Sequence, residues 1–419
     1  MVIKNGWGYF KKMLIQKMNV DDKSEKIVAI LVVLGVCLLR ISMAAAQIFF
    51  GVATAAGLYF WYRNSEKIAI AAEIKKYIIV ACIFFLTTVF SAVGSDNPSA
   101  VFLFALNIWL WRFMVFLLIV CFVKKRKYLE RMLICVLLVC GVDGILSLFQ
   151  FASHSRPFRG YGFSGNPLEL SAIISMILPV LVVILLDQRF GKNVKIVAVF
   201  GLVGAIADLF GGWSRAAWLV SFIVVSFSGF WYVRKKAKAM AVALVILCSI
   251  GGVMFALPHY TDRLATTFNT QINGPNMARI RLWQFSIKAF KERPVNGIGL
   301  GNWKRGYFNY KKHNVKNPNL MPHAHNNYLQ ILSETGSIGL LGFLYFNIYF
   351  LYTSFKNWLF DFNPYDLLVF TTFLSTIVLF GNTDFTLDSA SVSRTFWFLL
   401  AVLLQLKQTD PELHGSQHA

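Results

Sequence analysis

Apolar residues recur along this chain in runs long enough to enter a lipid bilayer, separated mostly by short polar breaks. A helix needs about 20 predominantly apolar residues to cross the hydrocarbon core. Twelve segments approach that: 27–39, 43–62, 77–93, 101–123, 132–152, 168–186, 196–210, 217–233, 240–257, 338–353, 367–380 and 395–406. Several are short, as expected of tilted helices, of spans with polar ends, or of half-helices. The first run follows a long polar, Lys-containing segment, so it reads as a span rather than a cleaved signal. Only one polar stretch is long, Pro258–His325. The pattern predicts an all-α polytopic membrane protein with about 12 transmembrane helices. It divides the chain into 1–257 (nine spans and short loops), 258–325 (one large, partly helical loop) and 326–419 (three spans and a tail).

Composition removes the competing classes. Hydrophobic residues make up 57% and charged residues 15%, against about 45–50% and about 25% in a soluble domain. That apolar content excludes disorder, and 29 Gly with 11 Pro exclude a collagen-like fibre. The six cysteines all lie in apolar runs, without CxxC or His/Cys metal spacing, and read as small core residues.

Charge then sets the orientation. Lys and Arg number 41 against 20 Asp and Glu, a net +21. Cytoplasmic loops carry excess Lys and Arg. With the N-terminus inside, the inner loops collect Lys75 and Lys76, the run Lys124–Lys127, and Arg234 with Lys235 and Lys236, whereas Gly94–Ala100 outside has none. Both termini are therefore expected in the cytoplasm. The long loop falls outside and carries eleven Lys and Arg against Asp262 and Glu292 alone. Long loops escape the orientation rule. This one reads either as a face drawn to membrane lipid phosphates or as a cradle for a phosphorylated substrate. No nucleic-acid partner is expected.

Candidate chemistry collects on the same side. Arg156 and Arg159 lie in an outer loop, RPFRGYGFSGNP, whose Gly and Pro mark turns. Arg215, in GGWSRAAW, sits between two spans, either as an interfacial anchor or as a fork for phosphate oxygens. After the turn Asn273-Gly274-Pro275, residues 276–293 predict an amphipathic helix that could lie on the outer leaflet. Its apolar stripe is Ile280, Trp283, Ile287 and Phe290, with Arg279 in the first turn and Arg281, Lys288, Lys291 and Glu292 opposite. Pro294 ends it. Gly297-Ile298-Gly299-Leu300-Gly301 follows a helix rather than a strand, so it reads as a tight turn and not as a nucleotide loop. His323-Ala324-His325-Asn326 marks the end of the polar loop. His325 is the best-placed general base. A zinc pair with His323 is the rival reading, but two-residue spacing does not put both on one helical face, and no third ligand follows at a recognisable distance. Within or beside the spans, Arg40 and Arg112 need partners, for which Asp143 and Asp208 are candidates; Asp384 and Asp388 near the last spans could orient a base or acceptor.

Several of these pieces occur in a family's order: the RPFRGYGFSGNP loop, then Ser214-Arg215 at a span's outer end. Next come Arg279 and Trp283, followed by Pro294, Gly297 and Gly299, and finally His325-Asn326 with Gly336 and Gly339. In this the sequence resembles the O-antigen ligase/polymerase superfamily of bacterial envelope glycosyltransferases, in motifs over roughly residues 150–345 and in topology throughout. The resemblance implies a GT-C type, inverting, metal-independent transferase without cofactor. It implies an inner-membrane enzyme with a periplasmic active site, moving a glycan from undecaprenyl diphosphate to a sugar hydroxyl, in the ligases that of lipid A-core. It gives His325 the role of base and Arg215 with Arg279 the donor diphosphate; Arg156, Arg159, Arg281, Trp283, Asn326 and His323 are further candidate substrate contacts. A polymerase on the same lipid-linked donor is the alternative, and a lipid-linked sugar transporter a more distant one, since the chain has no internal repeat.

Overall fold

The structure is a computed structural model that describes residues 22–64, 68–155, 158–233, 275–314, 322–411 and 413. Among these residues every regular element is helical. In chain order they are α1 (Asp22–Leu38), α2 (Met43–Asn64), α3 (Ala72–Val89), α4 (Pro98–Ala105) leading through a wide turn into α5 (Arg112–Phe122), α6 (Arg126–Ser153), α7 (Pro167–Leu186), α8 (Lys192–Gly211) and α9 (Arg215–Val233). After the undescribed stretch come α10 (Pro275–Glu292), α11 (Trp303–Asn314), α12 (Asn327–Asp361), α13 (Pro364–Phe373) and α14 (Ala390–Gln408). Each predicted span coincides with a helix, except 240–257, which lies outside the described residues. Eight of the described helices are long and apolar enough to cross a membrane.

The bundle's contacts follow its small and aromatic residues. Helix α6 packs on α8, α3 on α12, and α5 on α14. At the first crossing a Cβ on Gly144 would stand 2.0 Å from the Gly204 carbonyl oxygen, so only glycine permits this approach. Between α3, α5, α12 and α14, the rings of Phe84, Phe113, Phe346 and Trp397 form one contiguous cluster, in which Phe346 lies 5.2 Å from Phe84 and 6.1 Å from Trp397. Two spans carry charge inward. Arg40 pairs with Asp143 at 2.5 Å, as the sequence suggested. Arg112 does not use Asp208; it donates to the Leu387 carbonyl and to Ser393, while Asp208 accepts from Ser147.

Helix α12 begins eleven residues earlier than the apolar run at 338. Its first turns are polar but buried in protein, so hydropathy hides them. Gly336 interrupts it with φ 65° and ψ −160°. The backbone groups freed there are taken up by the segment before α11: Ile298 N–H donates to Ser333 O, Gly299 N–H to Glu334 O, and Ser337 N–H to Pro294 O. A Cβ on Gly297 would meet the Glu334 carbonyl carbon at 2.3 Å, which explains the glycines as close-contact positions. The loop is also tied to the end of α3 by Leu300 N–H to Ser91 Oγ and Asn296 Nδ2 to Val93 O.

Helix α10 forms where the sequence predicts it, and it carries a second apolar face beside the predicted stripe. Leu282, Phe285 and Ala289 are buried against Trp303, Tyr307 and Ala324 in a small separate core, whereas Ile287 is 42% exposed. Two apolar stripes overlap on this helix, and the protein neighbour α11 covers one of them.

Candidate functional site

The chain entering α12 places a histidine–carboxylate pair. Asn326 caps the helix by accepting from Leu329 N–H, and its amide nitrogen reaches the Asn382 carbonyl. Asn327 donates to Ile377 O and Thr386 Oγ1. These bonds clamp the start of α12 to the turn after α13. His325, just before the cap, has φ 50°, a left-handed conformation uncommon outside glycine. Its Nδ1 lies 2.8 Å from Asp384 Oδ1, a carboxylate that also accepts from Phe385 N–H. Burial alone would raise the Asp384 carboxyl; the His325 hydrogen bond and the two nearby imidazoles outweigh it and hold the group below its ordinary range. His323 stacks edge-on to His325 at 4.3 Å, with Nδ1 3.8 Å from Asp384 Oδ1. Burial, and then the neighbouring His325, lower its pKa despite the attraction of Asp384 and Asp388. His323, His325 and Asp384 together offer three ligand atoms within 4.8 Å of one another. The third member of that group comes from 59 positions away, beyond any spacing rule.

Trp283 supports the pair from α10. Its indole N–H donates to the carbonyl of buried Ala324, between the two histidines, at 3.1 Å. Ala324 N–H in turn donates to Gln330 Oε1. Trp283 thus holds the histidine strand, a role its place in an apolar stripe did not reveal.

The arginines lie on α10 and on the elements fastened near its start. Arg215 Nη2 donates to Asn276 Oδ1 at 3.3 Å, joining the start of α9 to the start of α10. Asn276, Arg279 and Trp283 are spaced i, i+3, i+7 and share one face. Arg279 therefore stands between the Arg215 contact and the Trp283 anchor. Arg281, two positions on, faces roughly the opposite side; it is exposed, with Tyr307 within its field. Arg159 Nε donates to the Gly212 carbonyl, and Gly160 N–H to Gly211 O, so the outer loop is fastened beside Ser214 and Arg215. Arg156 lies outside the described residues. Of the sequence candidates, Arg159 is bonded beside Ser214, Arg215 to the start of α10, Trp283 to the peptide between His323 and His325, and Asn326 to the turn after α13; Arg279 shares the face of Trp283, Arg281 does not, and Asp384, which the sequence offered as able to orient a base, contacts His325.

The arrangement offers an imidazole oriented by a carboxylate, able to take up a proton, and, at the start of α9 and on α10, guanidinium groups of the kind that bind anions. No curated protein is matched by the chain. Residues 198–344 match the family described as O-antigen ligase. The matched segment contains Arg215, Arg279, Trp283, His323, His325 and Asn326 and stops before Asp384, so this part of the chain is similar to the O-antigen ligase family.

Proposed function

We propose that this protein is an O-antigen ligase that transfers a glycan from undecaprenyl diphosphate to a sugar hydroxyl of lipid A-core, on the periplasmic face of the inner membrane. The basic residues of the inner loops support that orientation, with both termini in the cytoplasm. The observation that carries the mechanism is the 2.8 Å contact of His325 Nδ1 with Asp384. With the ring proton on Nδ1 and held by the carboxylate, Nε2 presents its lone pair to an acceptor hydroxyl. The hydroxyl oxygen attacks the anomeric carbon as its proton passes to Nε2. The bond from that carbon to the diphosphate oxygen breaks on the opposite side, inverting the centre. Charge then develops on the departing diphosphate, and Arg215 and Arg279 are the groups that meet it. Fixed guanidinium donors do this work where a metal would otherwise serve. The outer face has no Asp-x-Asp pair to hold one.

Loss of the gene should leave lipid A-core bare while long lipid-linked glycan accumulates. Single repeat units still joined to the core would instead favour a polymerase, and lipid-linked glycan confined to the cytoplasmic leaflet a transporter. In a purified assay His325→Ala should lose transfer by about 10²–10⁴-fold with the fold intact; full activity would sink the mechanism.

A further inference from the structure

We infer that His323, His325 and Asp384 form a site for a single borderline divalent cation of the zinc type, and that filling it silences transfer. The silencing, though not the binding, rests on the function proposed above.

The donor set argues for zinc. Two imidazoles and one carboxylate are ligands that zinc accepts, whereas calcium and magnesium prefer oxygen-only shells. Tetrahedral zinc, with bonds of about 2.0–2.2 Å, sets its ligand atoms roughly 3.3–3.5 Å apart. Here His325 Nδ1 and His323 Nδ1 stand 2.8 Å and 3.8 Å from Asp384 Oδ1, on either side of that value. On these two edges shifts of about half an ångström would reach it, and all three ligand atoms already lie within 4.8 Å of one another. The three side chains are 14–16% exposed, shielded yet reachable. What the ion displaces is weak on one side: His323 Nδ1 accepts from the His325 amide at 3.2 Å, the long end for a hydrogen bond. The surroundings already hold the ligands in place, since Trp283 and Gln330 fix the intervening Ala324 peptide and Phe385 N–H fixes the carboxylate. Three protein ligands leave a fourth position for water.

The consequence follows from proton bookkeeping on one ring. A neutral imidazole carries a single proton. When His325 Nδ1 coordinates a cation, that proton must sit on Nε2, where it occupies the lone pair that would accept the hydroxyl proton. No proton leaves the ring, but the base is lost, together with its hydrogen bond to Asp384.

The test uses the full chain in lipid nanodiscs, purified without a polyhistidine tag, with zinc chloride as the probe. Isothermal titration should find a zinc site that weakens by about 10–100-fold in His323→Gln and in Asp384→Asn. His154→Gln, which alters an exposed imidazole elsewhere, should bind as the wild type does. Zinc-edge absorption of the wild type should show imidazole nitrogen in the first shell. Transfer by the wild type should fall as the site fills and return with a chelator, and magnesium or calcium should not substitute. Undiminished zinc affinity in Asp384→Asn, or a first shell without imidazole, would overturn the site while leaving the base untouched. Zinc bound by the triad with transfer at full rate would overturn the silencing. The metal-free activity of His325→Ala judges the base separately.

Discussion

Asp384 holds the imidazole of His325 at 2.8 Å across 59 positions of sequence, joining the turn after α13 to the cap of α12. A carboxylate in this position fixes which ring nitrogen carries the proton and steadies the ring as it becomes charged. Asp384→Asn keeps the shape but offers an amide that can turn its NH₂ to Nδ1 and favour the wrong tautomer. We expect kcat to fall by about 10²-fold or more, within the range for loss of a general base, with little change in donor KM. Steady-state kinetics on the purified protein measures this split, and a variant with unchanged kcat would remove Asp384 from the mechanism.

The two arginines of α10 should separate cleanly. Arg279 shares the face of Asn276 and Trp283, and Arg281 does not. Arg279→Ala should raise the barrier by about 3 kcal/mol, the usual cost of losing a donor that meets developing charge. Arg281→Ala should leave transfer within about threefold of wild type, as for a surface change. Equal losses in the two variants would refute the facial assignment.

Trp283→Phe keeps an aromatic ring but loses part of the indole's bulk and the hydrogen bond to Ala324 O. The hydrogen bond alone costs about 1 kcal/mol. Because the bond holds the histidine strand, its loss should appear as a lower kcat as well as a small drop in melting temperature. A fall in melting temperature with kcat untouched would make the contact purely structural.

Gly336→Ala should be far more damaging. The position has φ 65°, and a Cβ there would stand 2.2 Å from the Val295 carbonyl oxygen. Strain alone costs about 1–3 kcal/mol, and the clash would part the loop from α12. Thermal unfolding in detergent should show a clearly lower midpoint; a wild-type midpoint would contradict the described break.

Acid should act on stability through the same cluster. The Asp384 carboxyl is held below its ordinary value, so its contribution is complete above that value, about 4, and is lost as pH falls through the lower folded one. His323 is also lowered, so the folded protein disfavours its protonation, and stability erodes as pH drops below the ordinary imidazole value of 6.5. His323→Gln should flatten the decline between about pH 6.5 and 5. Melting points measured across that range test the sign, and a variant that steepens the decline would reverse it.

By itself the sequence determined where the apolar helices lie, because hydropathy is local: the runs at 168–186 and 196–210 lie within α7 and α8 to within a few residues. It also marked Pro294 and Gly297 as breaks and His323–Asn326 as the end of the polar loop, since turn chemistry acts over a few residues. It singled out Arg215, Arg279 and His325, in that order along the chain, as candidates for the chemistry. Only the tertiary structure decided which groups meet. The start of α12 looked too polar for a span because its polar residues are buried in protein, not lipid. Arg40 found Asp143, but Arg112 found the Leu387 carbonyl in place of a carboxylate. The two stripes of α10 were equally periodic until α11 covered one of them. Asp384 belonged to no motif and lay in a turn between spans. What brought it to His325 was the packing of α12 against the α13 turn, and a pairing between distant elements depends on how helices dock, which no local periodicity encodes.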